Sequence, residues 1–236
     1  MMSKDGWQTR NVRYERIHKA GKEEFRQFLN SGEVQNNQIV GDFMAGYGAV
    51  SRELSNLAQE QGLELQIVLA DKFPEQLYRS NAEIPHMRNV TLRRLICDVQ
   101  RLPFNDRSFH RIFVKLGLHE LPSYAQQTAV NEIYRVLKPE GILSVWDLIS
   151  ANVTQQKFIQ DVARKKDELA GFKDLVRDRY FFRQDELEQM TSRAGFKQTQ
   201  FCHEFINTVE TCRRLDSEFK GDAGKLNEWN EYIRKR

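Results

Sequence analysis

Short apolar runs alternate with segments of helical period along most of this chain. Ile39 to Phe43, Leu65 to Asp71, Val90 to Cys97, Arg111 to Leu116 and Ile142 to Leu148 read as strands. The second run is apolar enough to be buried on both faces. Between the runs, residues 10–30, 49–61, 74–80 and 122–137 have the spacing of helices. In the helix over 49–61, Val50, Leu54, Leu57 and Ala58 share one face and Gly62 supplies the stop. Pro74 suits a first helical turn. The stretch Lys138-Pro139-Glu140-Gly141 closes the helix that begins at Pro122. Strands alternating with helices predict a parallel sheet with right-handed crossovers.

Residues 152–180 break this rhythm with a charged, helical insertion. A helix follows over Gln184–Ala194, then strand patterns at Phe196–Phe205 and Asn207–Leu215. The last two are close enough to pair as an antiparallel hairpin. Residues 225–236 read as a terminal helix, with Leu226, Trp229 and Ile233 on one side. The expected division is an N-terminal helical lid over 1–37 and an α/β domain over 38–236 that carries the 152–180 insertion.

Composition narrows the class. The chain has 236 residues, 29% of them charged, and a net charge of +3. That charge is too small to imply nucleic acid, and no segment approaches the roughly 20 apolar residues of a membrane span. Basic residues cluster at Arg10, Arg13, Arg16, Lys19 and Lys22, which is the pattern of a solvated helix face. Three scattered cysteines suggest neither a disulfide framework nor a metal site, so metal independence and a cytoplasmic setting are expected. Trp229 and Tyr232 in the tail are a candidate homodimer interface.

The chemistry gathers at strand ends. Val40-Gly41-Asp42-Phe43-Met44-Ala45-Gly46-Tyr47-Gly48 is a buried strand running into a glycine-rich turn. Such a turn lets the backbone approach a ligand before a helix begins. Asp42, Asp71 and Asp98 all stand at the carboxyl ends of strands, the edge where open parallel sheets bind ligands. One such Asp is an ordinary turn or cap residue; three at matching positions point to a ligand. Asp71 follows Gly46 by close to the roughly 20-residue spacing at which an acid meets ribose hydroxyls. Gly46-Tyr47-Gly48-Ala49-Val50-Ser51 nearly completes a dinucleotide fingerprint, with Ser51 in the last place, so a nicotinamide cofactor stays open on these residues alone.

Further motifs carry a family resemblance. Asp42 to Gly48, Asp71, Asp98 with Arg101-Leu102-Pro103-Phe104, Ser108-Phe109, and Arg135-Val136-Leu137-Lys138-Pro139-Glu140-Gly141 resemble the class I S-adenosylmethionine-dependent methyltransferases. The small-molecule branch that includes the quinone methyltransferases is the most similar. The resemblance covers about 38–148 and implies a Rossmann-like, doubly wound seven-stranded sheet, mostly parallel, with an antiparallel C-terminal strand. It also implies S-adenosylmethionine as cofactor. Asp42 and the backbone of Ala45, Gly46 and Gly48 would hold its methionine part. Asp71 would bind the ribose, and Lys72 and Phe73 would flank the adenine. Asp98 would take the adenine amino group, with Val99 beside the ring. Lys115, Leu116 and Gly117 would line the sulfonium.

Two positions depart from the family pattern. Met44 stands where relatives have glycine, and His110 where they have an acid. On the acceptor side, His119 and Glu120 are the candidates for a base or a substrate hydrogen bond, and Tyr14 for a lid. Tyr180, Phe181 and Phe182 suit either a pocket wall or the core.

The expected activity is methyl transfer to a small molecule by direct displacement. The alternative is another use of the cofactor, such as intramolecular cyclisation of its aminobutyrate chain. A binding module without catalysis, an RNA-modifying enzyme and a nicotinamide-dependent dehydrogenase are further rivals.

Overall fold

The computed structural model describes residues 22–204, 215–216 and 218–236. The chain runs α1 (Lys22–Asn30), β1 (Gln38–Phe43), α2 (Ala49–Gln61), β2 (Leu65–Asp71), α3 (Pro74–Glu83), β3 (Val90–Ile96) and β4 (Phe109–Lys115). A 3-10 turn (Leu118–Glu120) leads to α4 (Ser123–Val136), β5 (Leu137–Trp146), α5 (Val153–Ala170), α6 (Lys173–Asp178), α7 (Gln184–Ala194) and α8 (Ala223–Arg234). The strands lie in the order β3-β2-β1-β4-β5 and all their pairings are parallel. Strands are therefore added outward in opposite directions from β1, with the switch between β1 and β4. That switch point opens a crevice at the carboxyl ends of the strands. Asp42 stands on one side of it and Lys115 on the other.

Each face of the sheet is covered, as a buried parallel sheet requires. Val50, Leu54, Leu57 and Ala58 of α2 pack with Phe28 and Leu29 of α1 against Val40, Ile67, Leu69 and Phe113. On the opposite face, Ala129, Val130, Ile133 and Val136 of α4 join Leu187 and Met190 of α7 over Phe43, Ile112 and Val114. The alternation Ile67/Val68/Leu69/Ala70 sends side chains to both cores, which is why β2 is apolar throughout.

The expected seven-stranded sheet with an antiparallel last strand is corrected. Among the described residues the sheet has five strands and no antiparallel pair. Residues 196–204, expected as a strand, run without strand pairing. Phe196 is anchored against the Tyr134 ring, with centroids 4.9 Å apart. Beyond it, residues 197–204 are exposed, and Phe201 remains 41% exposed. With only one apolar residue seated on the core, the segment lacks the buried face that fixes a strand's register. The companion strand expected over Asn207–Leu215 lies almost wholly outside the described residues. So do Tyr14 and most of the expected lid over 1–37.

The insertion is helical as expected. Asn152 caps α5 by accepting from the Gln155 N–H at 2.9 Å, and Gly171 ends it in a left-handed conformation. Val162, Leu169 and Ala170 of α5 pack with Leu215, Phe219, Leu226 and Trp229 as a small separate core. Trp229 is thus buried inside the chain, which removes it from the candidate interface face. No helix among the described residues is long and apolar enough to cross a membrane.

The two downstream motifs form one clamp. Arg135 donates from Nη1 to the Phe104 carbonyl at 2.8 Å and from Nη2 to the Leu102 carbonyl at 3.0 Å. Glu132 accepts from the Leu102 N–H at 2.9 Å. Phe104 then stacks on Phe43. This is the physical reason that Leu102-Pro103-Phe104 and Arg135-Val136-Leu137 occur together, and it fixes the loop that begins at Asp98. His110 accepts the Ile39 N–H on Nδ1 at 3.0 Å, and its Nε2 lies 2.9 Å from Lys138 Nζ, so it ties β1 to β5's first turn.

Candidate functional site

On the β1–β2 side of the crevice the carboxylates hold backbone. Asp42 Oδ2 accepts from the Ser51 N–H at 2.9 Å and the Ser51 hydroxyl at 2.7 Å, which docks the first turn of α2 onto the end of β1. Burial pushes the Asp42 carboxyl up to about 7, against the lowering effect of the Ser51 bonds. Asp71 Oδ2 accepts from the Gly46 N–H at 2.8 Å and Oδ1 from the Phe73 N–H at 2.9 Å. The Ala45 N–H donates to the Ala70 carbonyl at 3.1 Å. The loop 44–48 is therefore pinned to the end of β2 at two successive residues.

Gly48 has φ +83, and a Cβ there would lie 2.7 Å from Ile84 and 2.8 Å from Leu69, so both conformation and space demand glycine. At Gly46 a Cβ would meet nothing within 4 Å. The backbone at Gly46 thus faces open space, a cradle that a ligand can approach.

Met44 adopts φ +55, a left-handed conformation costing a non-glycine residue about 1–2 kcal/mol. Its side chain lies over Gly117: a Cβ on Gly117 would come within 2.8 Å of Met44 Cβ and 2.9 Å of its sulfur. The departure at 44 is thus matched by an absent side chain at 117.

Asp98 accepts from Lys72 Nζ at 2.9 Å on one oxygen and from the Gln100 N–H at 3.0 Å on the other. Burial opposes its ionisation, but Lys72 and Gln100 together hold the carboxyl below its ordinary value. Val99 packs into the core beneath.

The β4–β5 side is built differently. The His119 ring stacks on Phe181 at 4.9 Å and is buried. Its Nδ1 bonds to Asp147 Oδ1, and its Nε2 lies 3.2 Å from Glu120 Oε1. Burial disfavours the imidazolium, yet Asp147 and Glu120 outweigh it and push the ring up to about 9. At neutral pH both ring nitrogens carry protons and both donate to carboxylates. No lone pair is left to act as a base.

Glu120 Oε1 in turn accepts from Arg179 Nη2 at 2.5 Å, and Arg179 Nη1 donates to Asp167 Oδ2 at 2.7 Å. Asp167 pairs with Lys166 at 3.0 Å and Lys166 with Glu218 at 3.3 Å. A buried chain of alternating charge therefore runs from the crevice into α5 and on to residue 218. Gln126 Nε2 reinforces it by donating to the carbonyls of Leu118, Leu121 and Tyr180. Phe181 and Phe182 are core residues, and the Tyr180 hydroxyl donates to Glu186 at 2.7 Å.

Among the sequence candidates, the structure brings Asp42, Ala45, Gly46, Gly48 and Asp71 together at one edge, joined by Lys72 and Asp98. Lys115, Leu116, His119 and Glu120 stand across the crevice. Asp147, Arg179, Ser51 and Trp146 were missed. Asp147 carries the same signal as the other three acids, since it directly follows a strand. Arg179 gives no local signal; it lies 59 residues from the carboxylate it serves.

A methyltransferase-domain family matches residues 42–145. The ubiquinone/menaquinone biosynthesis C-methyltransferase UbiE of Rickettsia felis is 28% identical over 127 residues, covering 53% of this chain and 48% of that protein. The chain therefore spans about half the length of this curated relative. Its counterpart from Rickettsia bellii is 26% identical over 203 residues, with 78% and 77% covered. Among solved structures, a candidate methyltransferase from Bacillus halodurans superposes with TM-score 0.74 at 21% identity, covering 91% of this chain and 85% of that one. The [4+2]-cyclase SpnF superposes with TM-score 0.60 at 15% identity, covering 90% and 71%. At such identities these two likenesses speak to the fold alone. Residues 42–145 thus match a methyltransferase-domain family, and the chain resembles the class I S-adenosylmethionine-dependent methyltransferases, the quinone C-methyltransferases among them.

Proposed function

We propose that the protein binds S-adenosylmethionine in the β1/β4 crevice and transfers its methyl group to a small-molecule acceptor. The observation that carries this is the loop 44–48: Gly46 opens onto free space while its N–H is fixed by Asp71, so the backbone is preorganised beside an acid that can take a ribose diol. The donor set fits the cofactor. Each Asp71 oxygen accepts one backbone bond and keeps a second lone pair for a hydroxyl. Asp98, held ionised by Lys72, is an acceptor for an amino group.

In this reading Asp42 and the backbone of Ala45–Gly48 hold the methionine part. Asp71 holds the ribose, Lys72 and Phe73 border the adenine, and Leu116 and Gly117 line the reactive side. Bound there, the cofactor supplies a methyl group already activated on a sulfonium. The protein's own work is then positioning and exclusion of water. The His119–Glu120 turn, clamped through Arg179 to the insertion, forms a rigid acceptor-side wall. The insertion over 152–180 would roof this side of the crevice, which favours a small enclosed acceptor over a macromolecule.

The test is mass spectrometry of the protein incubated with S-adenosylmethionine, with and without hydroquinone-type acceptors. The expected outcome is S-adenosylhomocysteine and a methylated acceptor formed together, only when both substrates are present. Consumption of the cofactor alone, with a cyclised product, would favour the non-methyl chemistry instead.

A further inference from the structure

Lys115 ends β4 on the rim of the crevice, facing the same side of the sheet as Asp42. Among the described residues its ammonium has no hydrogen-bond or ion-pair partner. It rests instead over two aromatic rings, 5.3 Å from the Phe25 centroid and 5.0 Å from that of Trp146. Those rings also touch each other, with centroids 5.6 Å apart. The crevice wall at this point is thus aromatic, with one amine set into it. His119, the other nitrogen base nearby, is closed off by its two carboxylates.

We propose that Lys115 is the proton acceptor of this site. The assignment rests on the methyl-transfer reading above. In the step, the unprotonated Lys115 Nζ takes the proton from the acceptor's O–H or acidic C–H. The electron pair left on the acceptor forms the new bond to the methyl carbon, and the carbon–sulfur pair stays on sulfur, which becomes a neutral thioether. Lys115 then returns its proton to solvent as product leaves.

Physical chemistry supports the role. Aromatic faces and nearby acids favour the charged amine, and burial disfavours it. The charged groups around Lys115 are Asp42 at the end of β1, Asp147 after β5, itself paired with His119, and Glu24 of α1, which lines the same cavity. Burial wins, pushing Lys115 down to about 8 despite Asp42 and Asp147. An amine in that range is a competent base near neutral pH. A sulfonium brought to the same crevice adds like charge and drives it further toward the unprotonated form.

That last point gives a test independent of turnover. Calorimetric titration at pH 8, in buffers of low and high ionisation enthalpy, counts protons released on binding. S-adenosylmethionine is expected to release up to roughly half a proton more than neutral S-adenosylhomocysteine. Lys115→Met, which keeps the stem on the rings, should bind both compounds and lose the difference. Its turnover should lose the rise with pH near 8. Lys115→Arg, permanently charged, should weaken S-adenosylmethionine relative to S-adenosylhomocysteine by roughly threefold or more. Equal proton counts for the two compounds in wild type, or a difference that survives in Lys115→Met, would overturn the assignment while leaving cofactor binding intact. Binding of neither compound would overturn the cofactor reading and this assignment with it.

Discussion

On the β1–β2 side of the crevice, Asp42 and Asp71 bond to the backbone of Ser51, Gly46 and Phe73, all within 25 residues. On the β4–β5 side, Asp147, His119, Glu120, Arg179, Asp167, Lys166 and Glu218 bond to one another as side chains, across separations of up to 59 residues. The first side is a local motif that the chain forms wherever the strand and its turn form. The second exists only once α5, α6 and the segment at 218 have docked. In the proposed reading, cofactor recognition sits on the self-contained half, and the acceptor-side wall on the half that depends on tertiary assembly.

The two halves should break differently. Arg179→Met removes the cation between partly buried Glu120 and fully buried Asp167. Glu120 keeps His119 and Asp167 keeps Lys166, so the loss in chemical denaturation should fall toward the lower end of the about 3–5 kcal/mol for breaking a buried ion pair. A loss below about 1 kcal/mol would mean that the chain of charges is not what holds the insertion. On the other half, Asp71→Ala should leave the fold largely intact and weaken cofactor binding by about 1.5–3 kcal/mol, the scale of hydrogen bonds to a charged group.

Smaller effects sharpen the contrast. Asp42 and His119 both titrate above their ordinary values in the folded protein. A raised group stabilises fully below its unfolded value and loses that contribution as pH rises through the folded one. For His119 that loss falls between about 6.5 and about 9, and for Asp42 between 3.8 and about 7. Thermal stability should therefore decline from mildly acidic pH to pH 9. Asp42→Asn keeps an acceptor for Ser51 and removes the buried charge, so at pH 8 it should gain about 1–2 kcal/mol, or roughly 2–8 °C, while binding cofactor less well. A variant less stable than wild type at pH 8 would contradict the Asp42 assignment.

What the sequence revealed follows the same division. Asp42, Gly46, Gly48, Asp71 and Asp98 were legible because strand ends and glycine turns are written in adjacent residues. Arg179 was not, since a charged residue at the end of a helical insertion looks like any solvated one until Glu120 is brought to it. His119 was legible as a residue of interest but not in its state, because Asp147 and Phe181 come from other elements. The sixth and seventh strands were expected at Phe196–Phe205 and Asn207–Leu215, in step with the family resemblance. The described part of that stretch lacks the apolar side chains that would seat it on the sheet.

The most direct test of the central claim is calorimetric titration of wild type and Asp71→Ala with S-adenosylhomocysteine. The account predicts one site per chain in wild type and at least roughly tenfold weaker binding in the variant, which equals about 1.4 kcal/mol. No binding to wild type, or equal affinity in the two proteins, would contradict it.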